Sequence, residues 1–232
     1  MPDGSREVTI VMPVFNERLR LERAIDAVLS AQVSDSLELL VVDDGSTDGT
    51  RDILRGRDWP PEVRVIYHER NRGKGAALKT AVAEARGTYT TVMDADLEYD
   101  PNDIPALLAP LRAGTAEAVF GTRAFQSHTA YSFWYVVGNR AVTFAANALY
   151  NSWISDMMTG HKAMSTELFR SLGLRERGFA VEAEITARLL RRGVRIYEVP
   201  TGYTARSREE GKKLTALDGL RVVRTLLRCR IL

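Results

Sequence analysis

One cysteine, Cys229, stands in the 232-residue chain, so no intrachain disulfide can staple it. That suits a reducing compartment. Long apolar runs are also missing. The most weakly charged stretch, 129–154, is broken by Asn139, Arg140, Asn147 and Asn151 and never offers 18 clean apolar residues. It does not read as a membrane span. The first residues, Met-Pro-Asp-Gly-Ser-Arg-Glu, lack the apolar core of a secretory signal. A cytoplasmic protein is therefore expected. No repeat, low-complexity tract or Gly/Ser/Pro-rich linker divides the chain. Its length suits one α/β domain and would cramp two. Net charge is small, +2, but unevenly placed. Residues 206–230 hold eight Lys/Arg against three Asp/Glu, while the remainder is slightly acidic. Such a tail suits an anionic partner or a solvated helix face. No nucleic-acid partner is expected.

What is present is alternation. Short β-branched or apolar runs at Val8–Val14, Leu37–Val42, Val63–Tyr67, Tyr89–Met93 and Ala118–Phe120 are separated by helical patterns. Those patterns cover Arg18–Ala31, Asp48–Arg55, Gly75–Ala85 and Ile104–Leu111. Alternation of this kind predicts βαβ units, a mostly parallel sheet and right-handed crossovers. Beyond it, helices are predicted at Tyr131–Tyr150, Phe179–Arg191 and Leu217–Cys229, with a strand at Val194–Val199.

In such sheets ligands bind outside the carboxyl ends of the strands. The polar residues of this chain fall at those ends. Asp94-Ala95-Asp96 follows the fourth strand. Two carboxylates two residues apart can offer oxygens to Mg²⁺ or Mn²⁺, with Glu98 as a third ligand or a supporting group. Asp43-Asp44-Gly45-Ser46 follows the second strand. Ser46, Thr47 or Asp48 can cap the next helix, and a carboxylate there can also accept a base N–H. Asn71-Arg72-Gly73-Lys74-Gly75 precedes a helix, where glycines and an N-terminus favour phosphate. It is not a Walker loop, whose spacing is absent.

These segments, in this order, resemble family 2 glycosyltransferases with a GT-A fold. The nearest branch is the dolichol-phosphate mannose synthases and other polyprenyl-phosphate glycosyltransferases. Further matching pieces are Val11-Met12-Pro13-Val14-Phe15-Asn16-Glu17, Gly121-Thr122-Arg123, the stretch from Asp156 to Lys162, and Glu198-Val199-Pro200. The resemblance implies a Rossmann-like single domain over 1–205, with a nucleotide-binding half to about residue 123 and an acceptor half to 205. A basic segment, 206–232, with an amphipathic helix follows. It implies that Pro13, Phe15, Glu17, Asp44, Lys74, Asp94 and Ala95 bind the nucleotide sugar. Asp94, Asp96 and Glu98 would hold the cation, Glu98 standing where relatives often carry Gln. Arg123, Arg206, Lys212 and Lys213 would meet the acceptor phosphate. Asp96, Arg123 and Asp156 would be catalytic.

The activity so implied is inverting transfer of a hexose from a UDP-glucose- or GDP-mannose-type donor to a polyprenyl or dolichyl phosphate. A lipid phosphate, with a second pKa of ~6, needs positioning rather than deprotonation. A hydroxyl acceptor, the alternative, needs a carboxylate base. Asp156, Glu182 and Glu184 are the candidates; otherwise they are a helix cap and two exposed first-turn acids. A non-catalytic nucleotide-binding module would have no need of Asp94, Asp96, Arg123 and Lys212 together. A sugar nucleotidyltransferase would carry a Gly-rich basic first loop, which is missing. Two features suit peripheral membrane contact or, equally, burial. They are the aromatics Tyr131, Phe133, Trp134, Tyr135 and Trp153, and the helix bearing Arg221, Arg224 and Arg228 beside Leu220, Val223 and Leu227. Sugar, base and oligomeric state are left open by the sequence.

Overall fold

The computed structural model describes residues 6–123, 128–129, 133–205 and 216–231. The first half alternates as expected. β1 (Arg6–Val14), α1 (Leu21–Ser30), β2 (Leu37–Asp43), α2 (Thr50–Gly56) and β3 (Val63–Tyr67) build one wing. α3 (Lys74–Glu84), β4 (Gly87–Val92), α4 (Ile104–Arg112) and β5 (Ala118–Thr122) continue across the sheet. A short β6 (His128–Thr129) precedes the long α5 (Phe133–Tyr150). Then come β7 (Lys162–Ser165), α6 (Thr166–Ser171), α7 (Val181–Arg191), β8 (Ile196–Pro200), β9 (Tyr203–Thr204) and α8 (Ala216–Ile231).

Seven strands form one sheet in the order β3-β2-β1-β4-β7-β5-β8, and β6 pairs with β9 in a small second sheet. The large sheet is parallel except for β7, which runs antiparallel to both β4 and β5. The order reverses beside β1, so the crevice between the carboxyl ends of β1 and β4 is the expected ligand position.

Both faces of the sheet are covered, so its strands are apolar nearly throughout: all seven residues of β2 are buried. Strand alternation divides the core. Val8, Ile10, Met12 and Val14 of β1 pack toward α1 and α4. Val11, between them, packs with Leu40, Val42 and the inner faces of α3 and α7. A third cluster joins Ala146 of α5, Ala183 and Ala187 of α7, and Val222, Leu226 and Cys229 of α8. α8 therefore covers the core with one stripe rather than standing apart as a tail. Arg228 turns inward, 2.8 Å from Glu176, while Leu220, Arg221, Arg224 and Leu227 are exposed.

Two expectations change. Glu182 and Glu184 are buried, because α7 is enclosed by the sheet, α5 and α8 and its acids are neutralised inside. Asp156 caps no helix; it lies in the turn before β7.

Candidate active site

The loops at the carboxyl edge are tied together by short polar side chains. Asn16 takes a left-handed conformation, φ 55°, which Asn tolerates better than most residues. Its amide donates to Ser46 Oγ at 3.0 Å, and its Oδ1 accepts the Thr47 amide at 2.8 Å. Asp48 Oδ1 accepts the Thr50 amide at 3.0 Å, while Gly49, at φ 96°, directly precedes α2. Asp44 is almost wholly committed to the next loop. Its carboxylate accepts the amides of Arg72 and Gly73, at 3.0 and 2.7 Å, and contacts His68 Nδ1 at 2.7 Å.

Gly45 makes this junction possible. It has φ 76°, and a Cβ there would stand 2.3 Å from the carbonyl carbon of Arg70 and 2.4 Å from the Asn71 amide nitrogen. Gly45→Ala is expected to lose about 3 kcal/mol from strain and overpacking together. Urea denaturation checks this, and a midpoint equal to wild type would refute the close packing.

A cleft of about 350 Å³ opens at this edge. Pro13, Phe15, Glu17, Asp44, Lys74, Asp94, Ala95, Asp96, Glu98 and Arg123 all line it. The strand-end residues named from the sequence thus share one cavity, in the size range of small-molecule sites. Arg206, Lys212 and Lys213 lie outside the described residues.

The acidic turn after β4 is tense. Leu97 adopts φ 61°, a conformation costly for a residue with a Cβ. The turn is held by Asp96 Oδ1, which accepts the Glu98 amide at 3.1 Å. Glu98 Oε2 accepts the Tyr203 hydroxyl at 2.6 Å, and its carbonyl accepts the Thr204 amide at 2.9 Å. Asp94 Oδ2 accepts Lys74 Nζ at 2.8 Å. Burial pulls the Lys74 ammonium down, but Asp94 and Glu182 outweigh this and raise it above the ordinary lysine range. Gly160 faces Asp94 from behind; a Cβ there would lie 2.8 Å from Asp94 Oδ2.

These oxygens suit a hard divalent cation. Asp94 and Asp96 with donor phosphate oxygens match how Mg²⁺ is commonly held. Among the described residues, however, no three His, Cys, Asp or Glu side chains gather into a metal cage. Asp94 faces Lys74, and Glu98 faces Tyr203.

At the other end of the cleft Arg123 grips Asp156. Nε donates to Oδ2 at 2.6 Å and Nη2 to Oδ1 at 2.8 Å, while Asn139 Nδ2 also donates to Oδ1 at 3.2 Å. The guanidinium lies over the Tyr203 ring, 4.8 Å from its centroid. Burial opposes ionisation of Asp156, but Arg123 and Asn139 prevail and hold its carboxyl below the ordinary range. Glu198 fixes the turn itself: it accepts the Ser155 amide at 2.8 Å and the Ser155 hydroxyl at 2.8 Å.

Of the three base candidates, Asp156 is thus clamped by a cation. Glu182 lines the cleft between Lys74 and Lys162, 2.9 and 2.6 Å away. Glu184 is away from the cleft; it accepts the amides of Arg175 and Glu176 and pairs with Arg188. Sequence reasoning missed Tyr99 and Tyr203, which line the cleft. Neither belongs to a periodic pattern or a quoted motif.

Comparison with known proteins bears on the family and the fold. The model for "Glycosyl transferase family 2" matches residues 9–173. Glycosyltransferase AglJ of Haloferax volcanii is 30% identical over 200 residues, 86% of this chain and 63% of that protein. The dolichol-phosphate mannosyltransferase of Pyrococcus furiosus is 28% identical over 89% of this chain and 59% of its own length. The chain therefore spans about three fifths of these two relatives. Among solved structures, glucosyl-3-phosphoglycerate synthase from Mycobacterium tuberculosis, in complex with uridine diphosphate, superposes with a TM-score of 0.72. It is 26% identical, and the match covers 98% of this chain and 81% of that one. Another structure of the synthase holds Mn²⁺, UDP-glucose and phosphoglyceric acid. Fold, cleft and sequence match lead to one assignment: the chain belongs to glycosyl transferase family 2, with a GT-A-like α/β fold.

Proposed function

We propose that this chain transfers a hexose from a nucleoside diphosphate sugar to a polyprenyl phosphate, with inversion. The observation that carries the reading is the Arg123–Asp156 pair. The carboxylate nearest the acceptor end is spent on a guanidinium, so the site offers a fixed cation rather than a base. That favours an acceptor that arrives already ionised. Relatives named for dolichol-phosphate mannosyl transfer and dodecaprenyl-phosphate galacturonate synthesis lend support.

In this reading Pro13, Phe15 and Glu17 line the pocket of the base and Asp44 orients the loop beneath it. Asp94 and Asp96 would hold a divalent cation, which when bound supplies charge to the departing diphosphate. Arg123 places the acceptor phosphate. One phosphate oxygen bonds to the anomeric carbon as the bond to the diphosphate oxygen breaks, and the electron pair leaves with the nucleoside diphosphate. Tyr99 and Tyr203 line the cleft beside Arg123.

A membrane surface is the matching source of the acceptor. α5 has two unlike faces. Tyr135 lines the cleft and Asn139 holds Asp156. The opposite face exposes Phe133, Trp134, Val137, Ala141, Phe144 and Ala148, with Arg140 beside them. Trp153, just after the helix, is 85% exposed. Among the described residues no helix is long and apolar enough to cross a membrane. An interfacial helix needs only such a face. Vesicles containing anionic lipid are expected to float the protein at low salt. Phe144→Glu is expected to weaken partitioning about tenfold or more, the value of one large apolar side chain. Equal flotation of both proteins would remove this face from the interface.

The function itself is tested by transfer assays. UDP- and GDP-sugars are first ranked by thermal stabilisation with Mn²⁺, since tight ligands raise apparent stability. The best donor is then offered a polyprenyl phosphate or a phosphorylated hydroxyl acceptor such as phosphoglyceric acid, which the solved synthase holds. Product on the lipid phosphate alone is expected. Product only on the hydroxyl acceptor would overturn the lipid reading and require another base.

A further inference from the structure

The floor of the cleft holds a line of four alternating charges. Lys74 Nζ lies 2.8 Å from Asp94 Oδ2 and 2.9 Å from Glu182 Oε1. The other oxygen of Glu182 accepts Lys162 Nζ at 2.6 Å. Lys162 is wholly buried, and its ammonium also donates to the carbonyls of Met157 and Thr159. Three N–H groups thus meet three acceptors, with the Phe120 ring 4.8 Å away. The line runs from the acidic turn after β4 to the segment next to Asp156.

Stability is a poor explanation for it. Buried ion pairs lose in desolvation most of what they gain in attraction, and apolar residues of similar volume often do as well or better. The members also fall at telling positions. Lys74 and Glu182 line the cleft, whereas Lys162 sits behind Glu182 and never reaches it. Both oxygens of Glu182 are already engaged by lysines, at 2.9 and 2.6 Å. What it can do is hold a flexible lysine in one place.

With Lys74 in the donor site, as the family resemblance implies, we propose that Glu182 positions it there and that buried Lys162 positions Glu182. Nucleoside diphosphate binding then has a component independent of any divalent ion. The inference rests on the donor reading above and adds a division of labour within it. Asp94 and Asp96 alone would present two negative charges to an incoming diphosphate. Lys74 offsets one of them before any metal arrives, and the one N–H not directed at Asp94 or Glu182 can serve a phosphate oxygen. Glu182 keeps Lys74 from swinging into solvent, and Lys162 keeps Glu182 from following it.

The test is calorimetric binding of UDP and of GDP, with EDTA or with Mn²⁺. Wild type is expected to bind one of them in EDTA and more tightly with Mn²⁺. Lys74→Met is expected to weaken binding about tenfold or more in EDTA and much less with Mn²⁺, about the worth of one charge-assisted contact. Lys74→Arg should recover most of the loss in EDTA. Glu182→Gln is close in shape and keeps Lys74; it is expected to lose several-fold in EDTA and, because it strands the buried Lys162 ammonium, to melt lower, so binding is read well below that melt, and unchanged binding in EDTA would overturn the positioning. Lys74→Met binding as wild type in EDTA would overturn the proposal. So would a wild type that binds only with Mn²⁺, although the donor reading would survive that result. If neither nucleotide binds even with Mn²⁺, the donor reading fails and this inference falls with it.

Discussion

Asp96→Ala is expected to lower turnover about a thousandfold while leaving the protein folded. Its carboxylate lines the cleft at the end of β4, one residue from the core contact made by Ala95. Within the fold its Oδ1 accepts the Glu98 amide. Loss of that bond costs about 1 kcal/mol. On the proposed function, loss of this oxygen removes transition-state stabilisation of the departing diphosphate, and single electrostatic contacts of this kind are worth about 10²–10³ in kcat. The measurement is kcat at saturating donor with Mn²⁺, beside a thermal melt. Turnover within about threefold of wild type would mean that Asp96 does not serve the diphosphate, since even a modest electrostatic contact exceeds that.

Arg123→Ala is expected to be the most damaging single change to both stability and activity. Asp156 is 3% exposed, so removing its guanidinium strands a buried carboxylate. Breaking a buried pair from one side costs about 3–5 kcal/mol. The acid behaviour follows the same logic. Arg123 depresses the folded-state pKa of Asp156, so the pair's contribution is complete above the unfolded value, ~3.9, and is lost as pH falls through the lower folded value. Arg123→Ala should lose that increment at neutral pH and depend less on acid. On the proposed function, activity falls for a separate reason, the loss of the cation assigned to the acceptor. The double variant Arg123→Ala with Asp156→Asn separates the two, because it should regain most of the stability and little of the activity. Full recovery of transfer in the double variant would make the pair structural only.

The sequence revealed most of the carboxyl edge because strand ends can be found by periodicity. Asp94, Asp96 and Asp44 follow apolar runs, and α/β sheets bind ligands there. β7 escaped for physical reasons. It is four residues long, starts with a lysine, and inserts antiparallel between β4 and β5. Glu182 and Glu184 looked like exposed acids since first-turn acids normally are. Their counter-charges come from distant segments: Lys162 lies 20 residues before Glu182. No local pattern announces such a pairing. The same holds for Tyr203, whose two-residue strand gains its importance from Glu98 and Arg123 across the cleft.

On the proposed function, α5 fixes how a substrate with a very long tail is handled. An α-helix with its side chains is about 10–12 Å across, and an interfacial helix sinks about 5–10 Å into the headgroup boundary. α5 presents Tyr135 and Asn139 on one side and Phe133, Trp134 and Phe144 on the other. If its aromatic side rests in a leaflet, the reaction centre stands about one helix diameter above the acyl chains. A phosphate head at that height can meet the anomeric carbon while its hydrocarbon never leaves the bilayer. The chain would then need no tunnel for the lipid, only a fixed altitude, and α5 is the spacer that sets it.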